Sequence, residues 1–278
     1  MGTLYVVATP IGNLEDITLR ALRILQEVPL IAAEDTRKAR FLLQHHNIAT
    51  PVTSFFVGNE HEKLAQLLAA LAQGDVALIS DAGMPGISDP GYTLIHAAVE
   101  QGVAVVPVPG ASAHTAALVT SGLPLDRFLF LGFLPRKAKE RQALLTEVAA
   151  LPVTLVCYEA PHRVAATLKA IQATLGNRPV ALCRELTKRY EEVWRGDVTG
   201  ALQQLAEHPP RGEYTLVIGG ASPSEQIWDA AHVREAVQER LTRGLSRSQA
   251  AREVAALSGW ARRRIYELAL EDASGTET

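Results

Sequence analysis

Acidic and polar residues in this 278-residue chain gather where apolar runs end. Val76-Ala77-Leu78-Ile79 is followed by Ser80 and Asp81, then by Ala82, Gly83, Met84, Pro85 and Gly86. Leu30–Ala33 runs straight into Glu34-Asp35-Thr36-Arg37. The first apolar run, Leu4–Ala8, gives way to Thr9-Pro10-Ile11-Gly12-Asn13, and Val103–Pro107 to Pro109-Gly110-Ala111-Ser112-Ala113. Loops this bare of side chains, with an acid among them, suit a ligand gripped by backbone N–H and C=O groups and a carboxylate. The Ser80–Gly91 loop is not G-x-G-x-x-G, and no G-x-x-x-x-G-K-[ST] occurs. The phosphate cradle of a dinucleotide or nucleoside triphosphate is therefore missing. The plainer alternative is a set of strand-to-helix connections that merely turn tightly.

The elements that must carry these loops follow from periodicity. Val76–Ile79 has the uninterrupted apolar character of a buried parallel strand. Asp89-Pro90 reads as an N-cap followed by Pro at the first helical position, opening a helix that carries Leu94, Ile95 and Ala98. Ile17, Ala21, Ile24 and Val28 mark one helix face, and Leu64, Leu67, Leu68 and Leu71 another. Strand, bare loop and helix thus recur through the first half, with the loops on one sheet edge, which is the pattern of a doubly wound α/β domain and of its ligand site.

Ser121-Gly122-Leu123-Pro124 is the best boundary, dividing the chain into an N-terminal α/β domain over 1–121 and a second α/β domain over 122–222. The second is expected to contain strands at Phe128–Leu131, Val153–Tyr158, Val180–Cys183, Glu191–Arg195 and Leu216–Ile218, with helices around Leu144–Val148 and Leu168–Ile171. Gly219–Ser224 has linker composition. A small helical C-terminal segment over 223–278 follows, helical from Ile227 to about Glu271. Ser246 caps one of its helices, Gly259 ends it, and Ser274–Thr278 is expected to fray. Its arginines, Arg243, Arg247, Arg252 and Arg262–Arg264, suit either a nucleic-acid arm or a solvated helical cap.

A formal net charge of −3 gives no global attraction to nucleic acid, so any such binding must use a local patch. The two cysteines, Cys157 and Cys183, lie inside apolar runs and read as buried strand residues, too few for a disulfide framework. No run approaches a membrane span and no signal sequence precedes Thr3, so the expected compartment is the cytoplasm. His45-His46 and Glu60-His61-Glu62 lack metal-ligand spacing, and no metal is expected.

Six ordered motifs carry a family resemblance: T-P-I-G-N-L-x-D-I-T at Thr9–Thr18, A-A-E-D-T-R at Ala32–Arg37, S-D-A-G-x-P-G-I-S-D-P-G at Ser80–Gly91, P-G-x-S-A at Pro109–Ala113, Y-E-x-P-H-R at Tyr158–Arg163 and R-E-L-T-K at Arg184–Lys188. The chain resembles the bacterial 16S ribosomal RNA (cytidine-1402-2′-O)-methyltransferases of the tetrapyrrole methylase-like superfamily, over nearly its whole length. The resemblance implies two α/β domains with S-adenosyl-L-methionine in the cleft between them. It implies a homodimer acting on a ribose 2′-hydroxyl of 16S ribosomal RNA in the small subunit. It assigns the cofactor to Pro10, Gly12, Asp81, Ala82, Gly83, Met84, Pro85, Ala111, Ser112, Ala113 and, from the second domain, Tyr158. Met84 departs from the family's Thr, and Phe56-Val57-Gly58-Asn59-Glu60 departs from its H-x-H-N-E run, keeping only Asn59 and Glu60.

Methyl transfer from a sulfonium is an in-line displacement that depends on alignment more than on covalent help. A ribose hydroxyl is a very weak acid, so a carboxylate or imidazole beside it can orient it and take its proton. Glu34, Asp35, Glu159, His162 and Glu185 are the candidates, with Asp35, Glu34 and Arg37 favoured as a pocket for the ribose. Each has a plainer reading: Glu34–Arg37 as an N-cap with an internal ion pair, Glu159 and Glu185 as partners of Arg163 and Arg184, His162 as a neighbour of a helix start. Arg37, Arg163 and Lys188 suit phosphates, as do Arg136, Lys137, Lys139 and Arg141. A tetrapyrrole C-methyltransferase and a non-enzymatic RNA-binding module are the rival classes.

Overall fold

The computed structural model describes residues 2–221 and 230–274. Two compact units emerge, residues 1–220 and 221–278. The first holds two five-stranded sheets.

The first sheet comprises β1 (Thr3–Val7), β2 (Leu30–Ala33), β3 (Val52–Ser54), β4 (Val76–Ile79) and β5 (Ala104–Val108), all parallel, in the order β3-β2-β4-β1-β5. Between them run α1 (Leu19–Glu27), α2 (Thr36–His45), α3 (Glu60–Gln73) and α4 (Tyr92–Glu100). β4 is buried at all four positions. Ala77 and Ile79 face a core with Ile24, Leu25 and Leu43 of α1 and α2, while Val76 and Leu78 face one with Leu67, Leu71 and Leu94 of α3 and α4. A strand covered on both faces must be apolar throughout, which is why the run shows no alternation. The chain leaves β1 and β4, which are neighbours, toward opposite flanks of the sheet. Their loops part there and create the crevice in which open α/β sheets bind ligands. Thr9 and Gly83 hold the crevice in shape by exchanging two backbone hydrogen bonds of 2.9 and 3.0 Å.

The second sheet is mixed. β6 (Phe128–Phe133) and β7 (Thr154–Glu159) are parallel, and β8 (Pro179–Arg184), β9 (Glu192–Asp197) and β10 (Tyr214–Ile218) pair antiparallel, in the order β6-β7-β10-β8-β9. One face is covered by α6 (Ala138–Glu147), α7 (Pro161–Leu175) and α8 (Val198–Glu207) through Leu145, Leu168, Ile171, Ala201 and Leu205. The other is covered by α5 (Ala113–Ser121), whose Ala117 and Leu118 pack on Val156, Ala181, Cys183 and Val217. α5 grows out of the last loop of the first sheet yet spends its apolar face on the second. β10 is buried at all five positions and needs a cover on each side.

The structure corrects one local expectation. Asp89 does not cap α4. The helix starts at Tyr92 with Gly91 as its N-cap residue at φ +140°, and no side chain caps it. Ile87 N–H bonds back to Met84 O and Gly86 N–H to Pro90 O, so the chain is still turning at Asp89 and cannot enter a helix there. β3 and α8 are elements the sequence pattern did not announce.

In the second unit, α9 (Ala230–Thr242), α10 (Arg247–Ser258) and α11 (Arg262–Ser274) share a small core of Val233, Val237, Ala250, Ala251, Val254 and Ile265. Ser246 and Gln249 form a capping box at the start of α10, and Gly259 ends it in the left-handed conformation. The linker expectation at 222–224 and the helix start at Ile227 lie outside the described residues, as does the expected frayed end except Ser274, which closes α11 instead of fraying. No helix among the described residues is long and apolar enough to cross a membrane.

Candidate functional site

Between the two sheets lies a cavity of about 470 Å3. The β4 loop contributes Ala82, Gly83 and Met84, the start of α5 contributes Ser112, Ala113 and His114, and the end of β7 contributes Tyr158. Gly83 has φ +80°, a conformation nearly reserved for glycine, and this lets its backbone line the cavity while bonding Thr9. Gly12 serves otherwise. It lines neither this cavity nor the second one, at the carboxyl ends of β1, β2 and β4, but a Cβ there would overlap Lys188 Cγ and stand 3.1 Å from Leu186 O, so its bareness allows the β1 loop to touch the second sheet. Pro85, buried, and Ala111 also line neither cavity, although Ala111 O faces Gly83.

His114 is central to the polar side of this cavity, and the sequence pattern does not single it out. Its Nδ1 is 3.1 Å from the Tyr158 hydroxyl and 3.2 Å from Ser112 Oγ, and its ring stacks on Phe130 at 4.6 Å. Burial lowers its pKa, so the imidazole is neutral at pH 7, and burial raises that of Tyr158. The one signal in the sequence is position: His114 directly follows the P-G-x-S-A run.

A second cavity, about 490 Å3, opens at the carboxyl ends of β1, β2 and β4. Pro10, Asp35, Arg37, Lys38, Phe41 and Asp81 line it. Asp81 ties the β2 and β4 ends together: Oδ1 accepts from Asp35 N–H at 3.1 Å and Oδ2 from Lys38 Nζ at 2.7 Å, while Asp81 N–H donates to Glu34 Oε2 at 3.3 Å. Burial raises the Glu34 pKa despite that bond, and Glu34 lines neither cavity. Asp35 caps α2 by accepting from Arg37 N–H at 2.8 Å and pairs with the Arg37 guanidinium at 2.7 and 3.1 Å. That guanidinium holds the carboxyl far below the usual carboxylate range. The sequence candidates therefore divide: Ala82, Gly83, Met84, Ser112, Ala113 and Tyr158 share one cavity, and Pro10, Asp81, Asp35 and Arg37 the other.

Other candidates have structural roles. Glu159 has a side chain 0% exposed and pairs with Arg163 Nε at 3.1 Å. It also accepts from Thr167 Oγ1 at 2.6 Å and Ala160 N–H at 2.9 Å. Arg163 donates in addition to the carbonyls of Leu134 and Pro135, so it is not free to meet a phosphate. Lys188 bridges Glu185 at 2.9 Å and Glu213 at 2.8 Å. Burial would raise the Glu185 pKa, but Glu213 N–H and Lys188 outweigh it and the value falls. His162, exposed at the start of α7, borders the first cavity. Arg141 is held by the carbonyls of Pro135 and Arg136, and Lys137 by Glu140. In the second unit Arg243 and Arg263 pair with Glu239 and Glu267, Arg262 bonds Ser248, and Arg264 lies over the Trp260 ring. Among the described residues no group of three or more His, Cys, Asp or Glu could hold a metal ion.

The model of the Tetrapyrrole (Corrin/Porphyrin) Methylases matches residues 3–202. The chain belongs to the tetrapyrrole methylase family. This methylase is 48% identical over 274 residues, 98% of each chain, to a Synechocystis protein named Ribosomal RNA small subunit methyltransferase I. It is 45% identical to the protein of that name from Halalkalibacterium halodurans, over 96% of this chain and 94% of that one. Its fold is that of uroporphyrin-III C-methyl transferase from Thermus thermophilus, solved with S-adenyl homocysteine, at TM-score 0.54 and 22% identity over 78% of this chain and 97% of that one. The crevice and the inter-sheet cavity of this methylase are thus built on a shared fold.

Proposed function

We propose that this methylase uses S-adenosyl-L-methionine to methylate a cytidine ribose 2′-hydroxyl of 16S ribosomal RNA in the small subunit, working as a homodimer in the cytoplasm. The observation that carries the reading is the near-full-length identity to proteins named for small-subunit ribosomal RNA methylation. The motifs from Thr9 to Lys188 support the finer assignment.

The cavity chemistry fits the cofactor. Met84, Ile87, Phe133 and Leu186 supply apolar wall, and the backbone at Gly83 and the hydroxyls of Ser112 and Tyr158 supply polar contacts. A phosphate-free nucleoside with an amino-acid tail needs this mixture and no cluster of cations. When bound it supplies an electrophilic methyl group. The chain's own task is to align a hydroxyl with that methyl, exclude water and accept a proton. We assign the cofactor to the inter-sheet cavity and the nucleotide to the neighbouring crevice beside Asp35 and Arg37, with its ribose 2′-hydroxyl turned into the cavity toward the cofactor's methyl group. Since the chain is acidic overall, the RNA backbone is met by local cations, among them the arginines of α11.

Calorimetry tests the cofactor assignment. Ala113→Leu keeps a good helix former at the start of α5 while filling the cavity, and its affinity for S-adenosyl-L-methionine is expected to fall at least about tenfold, roughly 1.4 kcal/mol. Gly83→Val is a poorer probe: a Cβ there meets nothing closer than 3.6 Å, but φ +80° strains it. Wild-type affinity in Ala113→Leu would remove the cofactor from this cavity. Sedimentation as a monomer at micromolar concentration would remove the dimer.

A further inference from the structure

Asp89 lines the inter-sheet cavity and has no structural role that accounts for it. It caps no helix, since α4 begins at Tyr92. It forms no ion pair among the described residues. The acids whose charges act on it are Glu34 after β2, Asp81 earlier in its own loop and Glu213 before β10, and Lys188, His114 and His162 line the same cavity. Asp81 and Glu213 are already engaged by Lys38 and Lys188, and the Tyr158 phenol on β7 feels the Asp89 charge. Ser80 Oγ is directed at the carbonyls of Ala82 and Gly83 in the same loop. Burial first, then Glu34, pushes the carboxyl up to about 6.

The backbone that presents Asp89 is held in an unusual shape. Ser88, the preceding residue, has φ +64°, a left-handed conformation that a non-glycine residue adopts at a cost. A Cβ on Gly132 of β6 would lie 3.0 Å from Ser88 Oγ, so the loop reaches across to the second sheet and meets a bare position there. A half-buried carboxylate that lines a cavity and forms no ion pair among the described residues is costly to keep and marks a working group.

The other carboxylate candidates are held in ion pairs or lie outside the cavities. Asp35 is locked to Arg37 and too weak a base, Glu34 lies outside both cavities, and Glu159 and Glu185 are held by Arg163 and Lys188. The His114 nitrogen facing Tyr158 is within hydrogen-bond reach of that hydroxyl.

We propose that Asp89 is the general base that receives the proton of the attacking ribose hydroxyl. The inference rests on the ribose-methylation reading above. As the hydroxyl oxygen's lone pair forms the new O–CH3 bond, the C–S bond breaks and its electron pair passes to sulfur, leaving a neutral thioether. The hydroxyl proton moves to Asp89 and returns to water when product leaves. A carboxylate with raised proton affinity is better suited to this than an ordinary one.

The test is Asp89→Asn, with Asp89→Glu beside it. Asn is expected to keep S-adenosyl-L-methionine affinity within about threefold by calorimetry. It is expected to lower single-turnover transfer to small subunits by about 100- to 10,000-fold, the usual worth of a general base. Wild-type rate should rise with pH through about 6 and level off, whereas the Asn variant should show no such step; Glu should recover part of the rate. In the free protein, carbon NMR should show a carboxyl titrating near 6 that is absent from Asp89→Asn. The melting temperature of Asp89→Asn should equal or exceed wild type; a clear fall would make the residue structural and overturn the proposal. So would a variant rate within about fivefold of wild type with an unchanged pH profile. If wild type itself binds the cofactor but methylates no ribose, the functional reading fails first and takes this proposal with it.

Discussion

Removing Arg163 should expose how the mouth of the inter-sheet cavity is held together. Arg163→Met keeps the length of the side chain but deletes the guanidinium, leaving Glu159 charged, 0% exposed and without its cation. Breaking a buried pair from one side costs about 3 to 5 kcal/mol. Glu159 retains two donors, Thr167 Oγ1 and Ala160 N–H, so the lower end, about 3 kcal/mol, is expected. The missing donation to the carbonyls of Leu134 and Pro135 argues against anything smaller. Adding Glu159→Gln removes the stranded charge and should recover most of the deficit, because a neutral amide can still accept from Thr167. Thr167→Val alone should cost about 1 to 3 kcal/mol by depriving the carboxylate of one donor. Urea unfolding at about pH 7.5, followed by far-UV circular dichroism with m-values compared, measures all three. An Arg163→Met protein within about 1 kcal/mol of wild type, or a double variant as unstable as the single one, would refute the assignment of this pair to structure.

Further outcomes follow from the titrating and charged groups. Asp89 binds its proton more tightly in the folded chain than its ordinary value of 3.8 allows, so its contribution to stability declines as pH rises from about 4 to 6 and stays low above; the urea midpoint of wild type minus that of Asp89→Asn should fall across that window, and a flat difference contradicts it. Asp35 has the opposite sign: its pairing with Arg37 stabilises above the ordinary carboxylate range and disappears as pH falls, and Arg37→Ala should abolish that dependence. Burial pushes the Cys183 thiol up to about 11 and Cys157 higher still, so both should resist a disulfide reagent until the protein unfolds; rapid native labelling would contradict their burial. Changing Arg262, Arg263 and Arg264 to Ala should flatten the salt dependence of RNA binding, by about 0.7 to 0.9 in log–log slope for each phosphate no longer neutralised, with cofactor affinity unchanged; an unaltered slope would assign these arginines to the packing of their own helices.

The sequence was most informative where one interaction dominates. Val76–Ile79 is apolar because both faces of β4 are covered, and nothing polar could survive there. Ser246 and Gly259 announced the bounds of α10 because caps act locally. The Glu159–Arg163 pair was visible as an i, i+4 spacing, but its burial was not, since that depends on how α7 meets the end of β7. Asp89-Pro90 misled because a local rule was outvoted: Gly91 and the turn closed by Gly86 and Pro90 keep the chain from becoming helical where the cap chemistry would allow it. The covering of the second sheet by α5 was likewise illegible, because α5 follows the first sheet in sequence and only tertiary packing assigns its face. His114 was hidden because a single histidine carries no spacing, and its partners Tyr158 and Phe130 come from distant strands.

Chemical mapping of the methyl group tests the central claim most directly. Small ribosomal subunits from a strain lacking this gene, incubated with the purified protein and isotopically labelled S-adenosyl-L-methionine, should acquire label in 16S ribosomal RNA at one cytidine, on the ribose. Nuclease digestion and mass spectrometry should then recover a 2′-O-methylcytidine. Label on a base, label in no RNA, or transfer to a tetrapyrrole under the same conditions would contradict the account.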